Sequence, residues 1–250
     1  MLLPLSTGLW MTLSHVEQKA VKHRIGRTVF RRLDHPRRCA TPCTDLVHRN
    51  EHGTGAVNLI LASTSPIRGT LLANAGVPYG AEAPGVDEAP LKAGFEGGDE
   101  ALALRLAEAK ALAVSERRPG ALVIGSDSLV SVDGRRFDKP AGPETAAEHL
   151  RFFSGRTMML TSAVALAQSG EIVWRHASAA RLKVRNLSER FIADYLEAEW
   201  PEVSYCVGVF RLEGSGVQLF EDIEGDHFTI LGLPLLPLLG ALREQGILTA

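Results

Sequence analysis

The sequence predicts an α/β fold, and three observations carry that prediction. Two short, wholly apolar runs, Leu59–Ala62 and Ala121–Gly125, are each bounded by polar residues, as buried strands of a parallel sheet are. Between them Leu102, Leu106, Ala109 and Ala113 recur at spacings of four, three and four, the stripe of an amphipathic helix. Beyond them two longer strand-like stretches, Met158–Ala167 and Glu171–Val184, follow one another.

Taken in order, the first apolar run ends in Ser63-Thr64-Ser65-Pro66-Ile67-Arg68. Ser65 offers an N-cap hydroxyl, and Pro66 suits the first helical position, where a missing N–H loses nothing. Leu71, Leu72 and Ala75 continue that helix to Gly76, a suitable stop. The text from Gly76 through Pro84-Gly85 to Val86-Asp87-Glu88 is loop-like. Asp99 then caps a helix that runs to Arg117 and is broken by Pro119-Gly120. Lys110 lies beside the apolar stripe of that helix, its stem covered and its ammonium reaching out at one end.

The second apolar run ends in Ser126-Asp127, and Asp133-Gly134 between Val132 and Phe137 marks a hairpin. The return leads to Asp138-Lys139-Pro140. Pro143 opens a helix through Leu150 to Phe153, stopped by Gly155. Leu187-Ser188-Glu189 opens another, to Ala198. Residues 204–224 read as a pair of strands around Gly214-Ser215-Gly216, and a last helix runs from Leu233-Pro234 to Gly246. No repeat or low-complexity segment interrupts the chain.

Residues 1–57 have a different character. They hold nine Lys and Arg against four Asp and Glu, while the rest holds eighteen against twenty-five. Five of the eight histidines also fall there. The segment has no sustained period and few large apolar residues, so it reads as a basic, poorly ordered extension ahead of one domain over 58–250. Cys39 and Cys43 are separated by three residues, one too many for a Cys-x-x-Cys redox motif, and no second pair follows at zinc-site distance. Three cysteines make no disulfide framework and suit a reducing cytosol. The net charge of -2 gives no case for a nucleic-acid partner as a whole-chain property. No apolar stretch is long enough to span a membrane, so no membrane partner is expected.

The residues with chemistry gather at strand ends. Ligands in open α/β sheets bind outside the carboxyl ends of parallel strands. If the two apolar runs are parallel neighbours, Ser63, Ser65, Arg68 and Asp127 share one edge. Hydroxyls, an arginine and free helix N–H groups make an anion site in outline, with phosphate its usual occupant. A carboxylate beside such a site points to a divalent metal or an activated water, although Asp127 read alone is equally a turn cap. Glu88, Lys110 and Lys139 taken singly are ordinary polar residues. There is no Gly-rich run ending in Gly-Lys-Ser/Thr, no Gly-x-Gly-x-x-Gly, no zinc-helix histidine pair and no Gly-x-Ser-x-Gly elbow.

Taken together, Leu59 to Leu72, Val86-Asp87-Glu88, Glu108-Ala109-Lys110-Ala111, Val123-Ile124-Gly125-Ser126-Asp127, Lys139-Pro140, Ser154-Gly155-Arg156 and Gly232-Leu233-Pro234-Leu235 resemble the Maf family of nucleoside triphosphate pyrophosphatases. The resemblance runs from Leu59 to the C-terminus and excludes the arm. It implies a single Maf/ITPase-like domain, a mixed, twisted central sheet flanked by helices. It implies hydrolysis of the α–β phosphoanhydride bond, with Asp127 as proton acceptor. Ser63, Ser65, Arg68, Lys110 and Lys139 would bind phosphate, and Glu88 with Asp127 would hold Mg²⁺ or Mn²⁺. Ile67, Ser128 and Glu213 would bear on substrate choice. Cys206 to Gly214 is nearer the 7-methyl-GTP branch of the family, and a cytoplasmic enzyme, as a monomer or homodimer, is implied. Ile67, Ser128 and Thr161-Ser162 depart from the family's usual residues and leave the preferred base open. A non-catalytic nucleotide- or nucleic-acid-binding regulator of cell division is the alternative.

Overall fold

The computed structural model describes residues 58–249; the basic arm, its cysteine pair and the boundary drawn at 57 lie outside the described residues. Leu59–Ala62 (β1) is the four-residue buried strand its apolar run predicts. It pairs in parallel on one side with Gly80–Glu82 (β2) and on the other with Leu122–Val132 (β3). Arg135–Phe137 (β4) folds back on β3 through the expected Asp133-Gly134 turn. Thr157–Gln168 (β5), Glu171–Val184 (β6) and Phe220–Glu224 (β7) complete an antiparallel side, giving the order β2-β1-β3-β5-β6-β7 with β4 also on β3. The expected mixed sheet flanked by helices is what the chain forms.

Helices cover the sheet in three groups. Pro66–Asn74 (α1) and Leu235–Glu244 (α7) pack Leu71, Leu72, Leu238 and Leu242 on Leu59, Leu61, Leu122 and Ile124. Asp99–Arg117 (α3) covers the other face, on Ile60, Val123 and Ala163. Pro143–Phe153 (α4) and Glu189–Glu199 (α5) close a separate core around the far ends of β3, β5 and β6. Short helices Ala89–Lys92 (α2) and His227–Ile230 (α6) complete the set.

Several sequence expectations are corrected. The second apolar run does not stop at Ser126-Asp127: β3 runs on to Val132, eleven residues in all, because β5 pairs with it along the whole length. Asp127 is therefore mid-strand and caps no turn. Residues 204–224 supply one strand, β7, rather than two, with single-turn helices at Glu202–Tyr205 and Ser215–Leu219 before it. The loop-like stretch after Gly76 contains β2 and α2. Ser65 occupies the N-cap of α1 without a side-chain capping bond, and α3 is capped by Gly98 with Asp99 inside its first turn. The buried face of α3 runs through Leu102, Leu106, Lys110 and Val114, so Lys110 lies within the stripe and Ala109 and Ala113 at its margin.

Candidate active site

The site grows from a gap in the sheet. On one side of β3, β1 is paired as far as Gly125 and β4 from Val130 onward. Among the described residues Ser126–Leu129 therefore face no strand on that side, and the turn that follows β1, Ser63 to Arg68, lies against the opening. Gly125 sets the approach from the other face. A Cβ there would meet the Ala107 carbonyl at 2.2 Å and the Ala111 nitrogen at 2.6 Å, so only glycine admits α3 this close to β3. That approach brings Lys110 onto Asp127.

The Lys110 ammonium is 2.5 Å from Asp127 Oδ1 and 2.7 Å from Glu88 Oε1. Both Lys110 and Asp127 are buried. Lys92 extends the row, 3.0 Å from Glu88 Oε2 and 3.0 Å from Asp138 Oδ1. The result is a ladder of alternating charge: Asp138, Lys92, Glu88, Lys110, Asp127. Burial alone would raise the Glu88 carboxyl, but the Lys110 and Lys92 ammoniums outweigh it and hold Glu88 down at about 2. Two carboxylates that reach one ammonium face a common point. Among the described residues no group of three or more His, Cys, Asp or Glu side chains is arranged to hold a metal ion. Glu88 and Asp127 are the two carboxylates here that could contribute to holding a hard divalent cation, a set short of a full protein site.

Arg68 enters the same opening from α1. Its Nε donates to the Gly232 carbonyl at 2.8 Å, Nη1 to Ser63 Oγ at 3.3 Å and Nη2 to Ser128 Oγ at 3.1 Å. Gly232 has φ +95°, in the left-handed region, which turns that carbonyl onto the guanidinium. Ser63 Oγ also accepts the Ser65 N–H at 3.1 Å, tightening the turn at the helix start. Burial draws Arg68 below the ordinary guanidinium value, opposed by the charges of Asp127 and Glu88. An arginine remains charged under such a shift.

A second region surrounds residues 206–215. Buried Glu199, at the end of α5, accepts from Arg211 Nη2 at 2.7 Å and Nε at 3.1 Å, from Ser215 Oγ at 2.5 Å and from the Ser215 N–H at 3.3 Å. The Ser215 hydroxyl first, and then Arg211, keep its carboxyl below the usual range against the effect of burial. Val209, β-branched and buried, holds φ +55°, a strained conformation stabilised in part by the Tyr195 hydroxyl on its carbonyl at 3.0 Å. Glu213 is exposed on this clamped loop. Burial pushes the Cys206 thiol up to about 11, with the Glu213 carboxylate adding to it and Arg211 and Lys139 opposing it. Such a thiol is no nucleophile at neutral pH.

The sequence profile described as Maf-like protein matches residues 58–245. The chain belongs to the Maf-like protein family. Relatives agree with that placement. The chain is 49% identical over 195 residues to the 7-methyl-GTP pyrophosphatase of Rhizobium meliloti, covering 77% of this chain and 98% of that one. It is 50% identical over 193 residues to the nucleoside triphosphate pyrophosphatase of Nitrobacter hamburgensis, covering 76% and 95%. A solved dITP/XTP pyrophosphatase from Mycobacterium abscessus aligns at 18% identity and a TM-score of 0.36, covering 76% of this chain and 95% of that one.

In this Maf-like chain, Arg68 joins Ser63 and Ser128, with the Ser65 N–H on Ser63, Lys110 joins Glu88 and Asp127, and the charges of those two carboxylates reach Arg68. Lys139 is exposed, next in sequence to the Asp138 that pairs with Lys92, and its charge acts on Cys206. Ile67 is partly buried next to Arg68 on α1. Sequence reasoning missed Lys92, Asp138, the Gly232 carbonyl and the Glu199 clamp. Lys92 was the nearest to hand, since it lies four residues after Glu88, a helical contact once α2 is recognised.

Proposed function

We propose that the protein hydrolyses a nucleoside triphosphate to the monophosphate and pyrophosphate, and that it does so in the cytoplasm. The observation that carries this reading is the buried Lys110 ammonium held between Glu88 and Asp127 beside an arginine-bearing turn. A triphosphate brings about four negative charges, and water attacks phosphorus only when cations offset them. Arg68 and Lys110 offset that charge, with Ser63 and Ser65 placing hydroxyls at the α1 start and Lys139 approaching from the Asp138-Lys139-Pro140 segment.

Asp127 is the base. It takes a proton from the attacking water as the new oxygen–phosphorus bond forms, while the bond to the bridging oxygen breaks and pyrophosphate leaves with the electron pair. Lys110 holds the Asp127 carboxylate in place. Glu88 and Asp127 would hold a divalent cation, Mg²⁺ or Mn²⁺, which when bound supplies further charge neutralisation to the phosphates.

For the base we propose a guanine-type ring read by Glu213. A carboxylate only accepts hydrogen bonds, so it suits the N1–H and exocyclic amine donors of guanine and favours a cationic 7-methylguanine. The names of the relatives support the reaction, and that of the Rhizobium meliloti relative supports a guanine-type ring. A non-catalytic regulator of cell division would have no need of a buried carboxylate at an anion site. The deciding experiment is a pyrophosphate-release screen across ordinary, deoxy and modified nucleoside triphosphates with Mg²⁺ or Mn²⁺. Turnover of a guanine-type nucleotide is expected. Release from none of them, alongside nucleic-acid affinity that falls steeply with salt, would establish the regulator instead.

A further inference from the structure

Ser128 and Ser162 are direct cross-strand partners on β3 and β5, and their hydroxyl oxygens are 2.8 Å apart. Ser162 Oγ also lies 2.8 Å from the Thr229 carbonyl oxygen, in the α6 segment. A carbonyl oxygen only accepts, and each hydroxyl has one hydrogen. The Ser162 hydrogen therefore goes to Thr229, the Ser128 hydrogen to Ser162, and a Ser128 lone pair is left facing Arg68. Arg68 Nη2, which only donates, fills it at 3.1 Å. Every bond in the row runs one way, from guanidinium to Ser128 to Ser162 to the Thr229 carbonyl.

The far end of the row is anchored. Asp226 Oδ2 accepts the Thr229 N–H at 2.7 Å and its hydroxyl at 3.0 Å, and Thr229 is buried. A parallel route fixes the same guanidinium. Its Nε reaches the Gly232 carbonyl, which also lies 3.0 Å from Ser126 Oγ, whose single hydrogen is shared with the Ala163 carbonyl at 2.8 Å. Ser162 is fully buried, so its hydroxyl serves only this row.

We infer that Ser128 and Ser162 are positioning residues, a one-way hydrogen-bond relay by which the Asp226–Gly232 segment fixes the Arg68 guanidinium. Ser128 consequently has no proton to offer a nucleotide base, in contrast to the substrate-choice role its place in the sequence implies. The inference rests on the proposed phosphate-binding role of Arg68.

The test compares Ser162→Ala, Ser128→Ala, Arg68→Lys and each serine variant combined with Arg68→Lys, by pyrophosphate release from GTP, 7-methyl-GTP, UTP and dTTP. Loss of one aligned bond to a charged group predicts a fall in kcat/KM of about ten-fold for every nucleotide, with their ranking unchanged. On the Arg68→Lys background the serine substitutions should add almost nothing, because the group they position is gone. A changed ranking would make the serines base-reading residues, and an undiminished drop on that background would make them merely structural; either overturns the relay. Should the unaltered protein hydrolyse no nucleotide, the proposed function fails separately. Calorimetric binding of inorganic pyrophosphate then decides: about ten-fold weaker binding by Ser162→Ala upholds the relay. Equal binding, or none by the unaltered protein, overturns it.

Discussion

Lys110 and Asp127 are seventeen residues apart in sequence and joined by a 2.5 Å contact between the buried face of a helix and the middle of a strand. The contact exists because Gly125 lets α3 settle against β3. Two charges buried together satisfy one another, whereas either alone would be heavily penalised. The pair is thus a fixed element of the packed interior and, at the same time, the centre of the candidate chemistry.

Asp127→Asn keeps the size and shape of the side chain but removes its ability to take a proton. Steady-state pyrophosphate release should fall by about 10²–10⁴, the usual contribution of a catalytic acid–base group. Far-UV circular dichroism should be unchanged. Near-normal turnover would show that Asp127 serves the fold alone.

Lys110→Met leaves Glu88 and Asp127 facing each other without the ammonium that joined them. The Tm should drop, since breaking a buried pair costs about 3–5 kcal/mol, reduced here by the exposure of Glu88. Added Mg²⁺ or Mn²⁺ should raise the Tm of this variant more than that of the unaltered protein, because a cation can take the vacated place. Equal ion responses in the two proteins would count against a shared cation site.

Acid stability reports on Glu88. Its folded carboxyl titrates at about 2, against an ordinary value of 4.5. A depressed folded value means the stabilisation is fully present above the unfolded pKa and is lost as pH falls through the folded one. Urea midpoints of the unaltered protein should therefore drop between about pH 5 and about pH 2 more than those of Glu88→Gln. Solvent screening makes the difference smaller than the shift alone implies. Parallel curves for the two proteins would refute the ion-pair assignment.

A chain of residues 58–250 should keep both turnover and Tm close to those of the full protein. The family match begins at residue 58, and the Rhizobium meliloti relative is matched over 98% of its own length by 77% of this chain. Aggregation or a lowered melting temperature in the shortened chain would show that the basic segment contributes to the domain.

Glu213→Gln should lower kcat/KM for a guanine nucleotide by roughly 1–3 kcal/mol of lost contact and raise uracil or thymine nucleotides in the ranking. The substitution leaves the Glu199 clamp intact, since Glu199 grips Arg211 and Ser215 on either side. An unchanged ranking would remove Glu213 from base selection.

The elements legible in the sequence were those with a strong local signature. β1 ends in a serine-rich turn, α1 carries Pro66 at its start and Gly76 just past its end, and α5 opens on Ser188, whose hydroxyl does accept the Phe191 N–H. What escaped depended on distant partners. Nothing local says that Ser126 to Ser128 remain extended; β5 dictates it by pairing with them. β2 is a three-residue, mostly exposed edge with no apolar alternation to betray it. The 206–219 stretch looked like strands because it is rich in Val, Phe and Leu, yet Glu199 and Tyr195 hold it in an irregular path. In the site, residue types were legible and their associations were not. The Ser128–Ser162 contact requires the register of β3 on β5, which no single segment encodes.

The Gly232 carbonyl that aligns Arg68 lies 164 residues further along the chain. A ribosome adding about 5–20 residues per second leaves that interval on the order of ten seconds or more. By its end the nascent chain carries the serine turn, the Lys110 helix and the Asp127 strand, with Ser63 and Ser128 available to Arg68, but the Arg68 Nε still lacks the Gly232 acceptor. The last segment supplies the third of the guanidinium's three partners. The growing polypeptide thus receives the last acceptor of its candidate anion corner near the end of its synthesis.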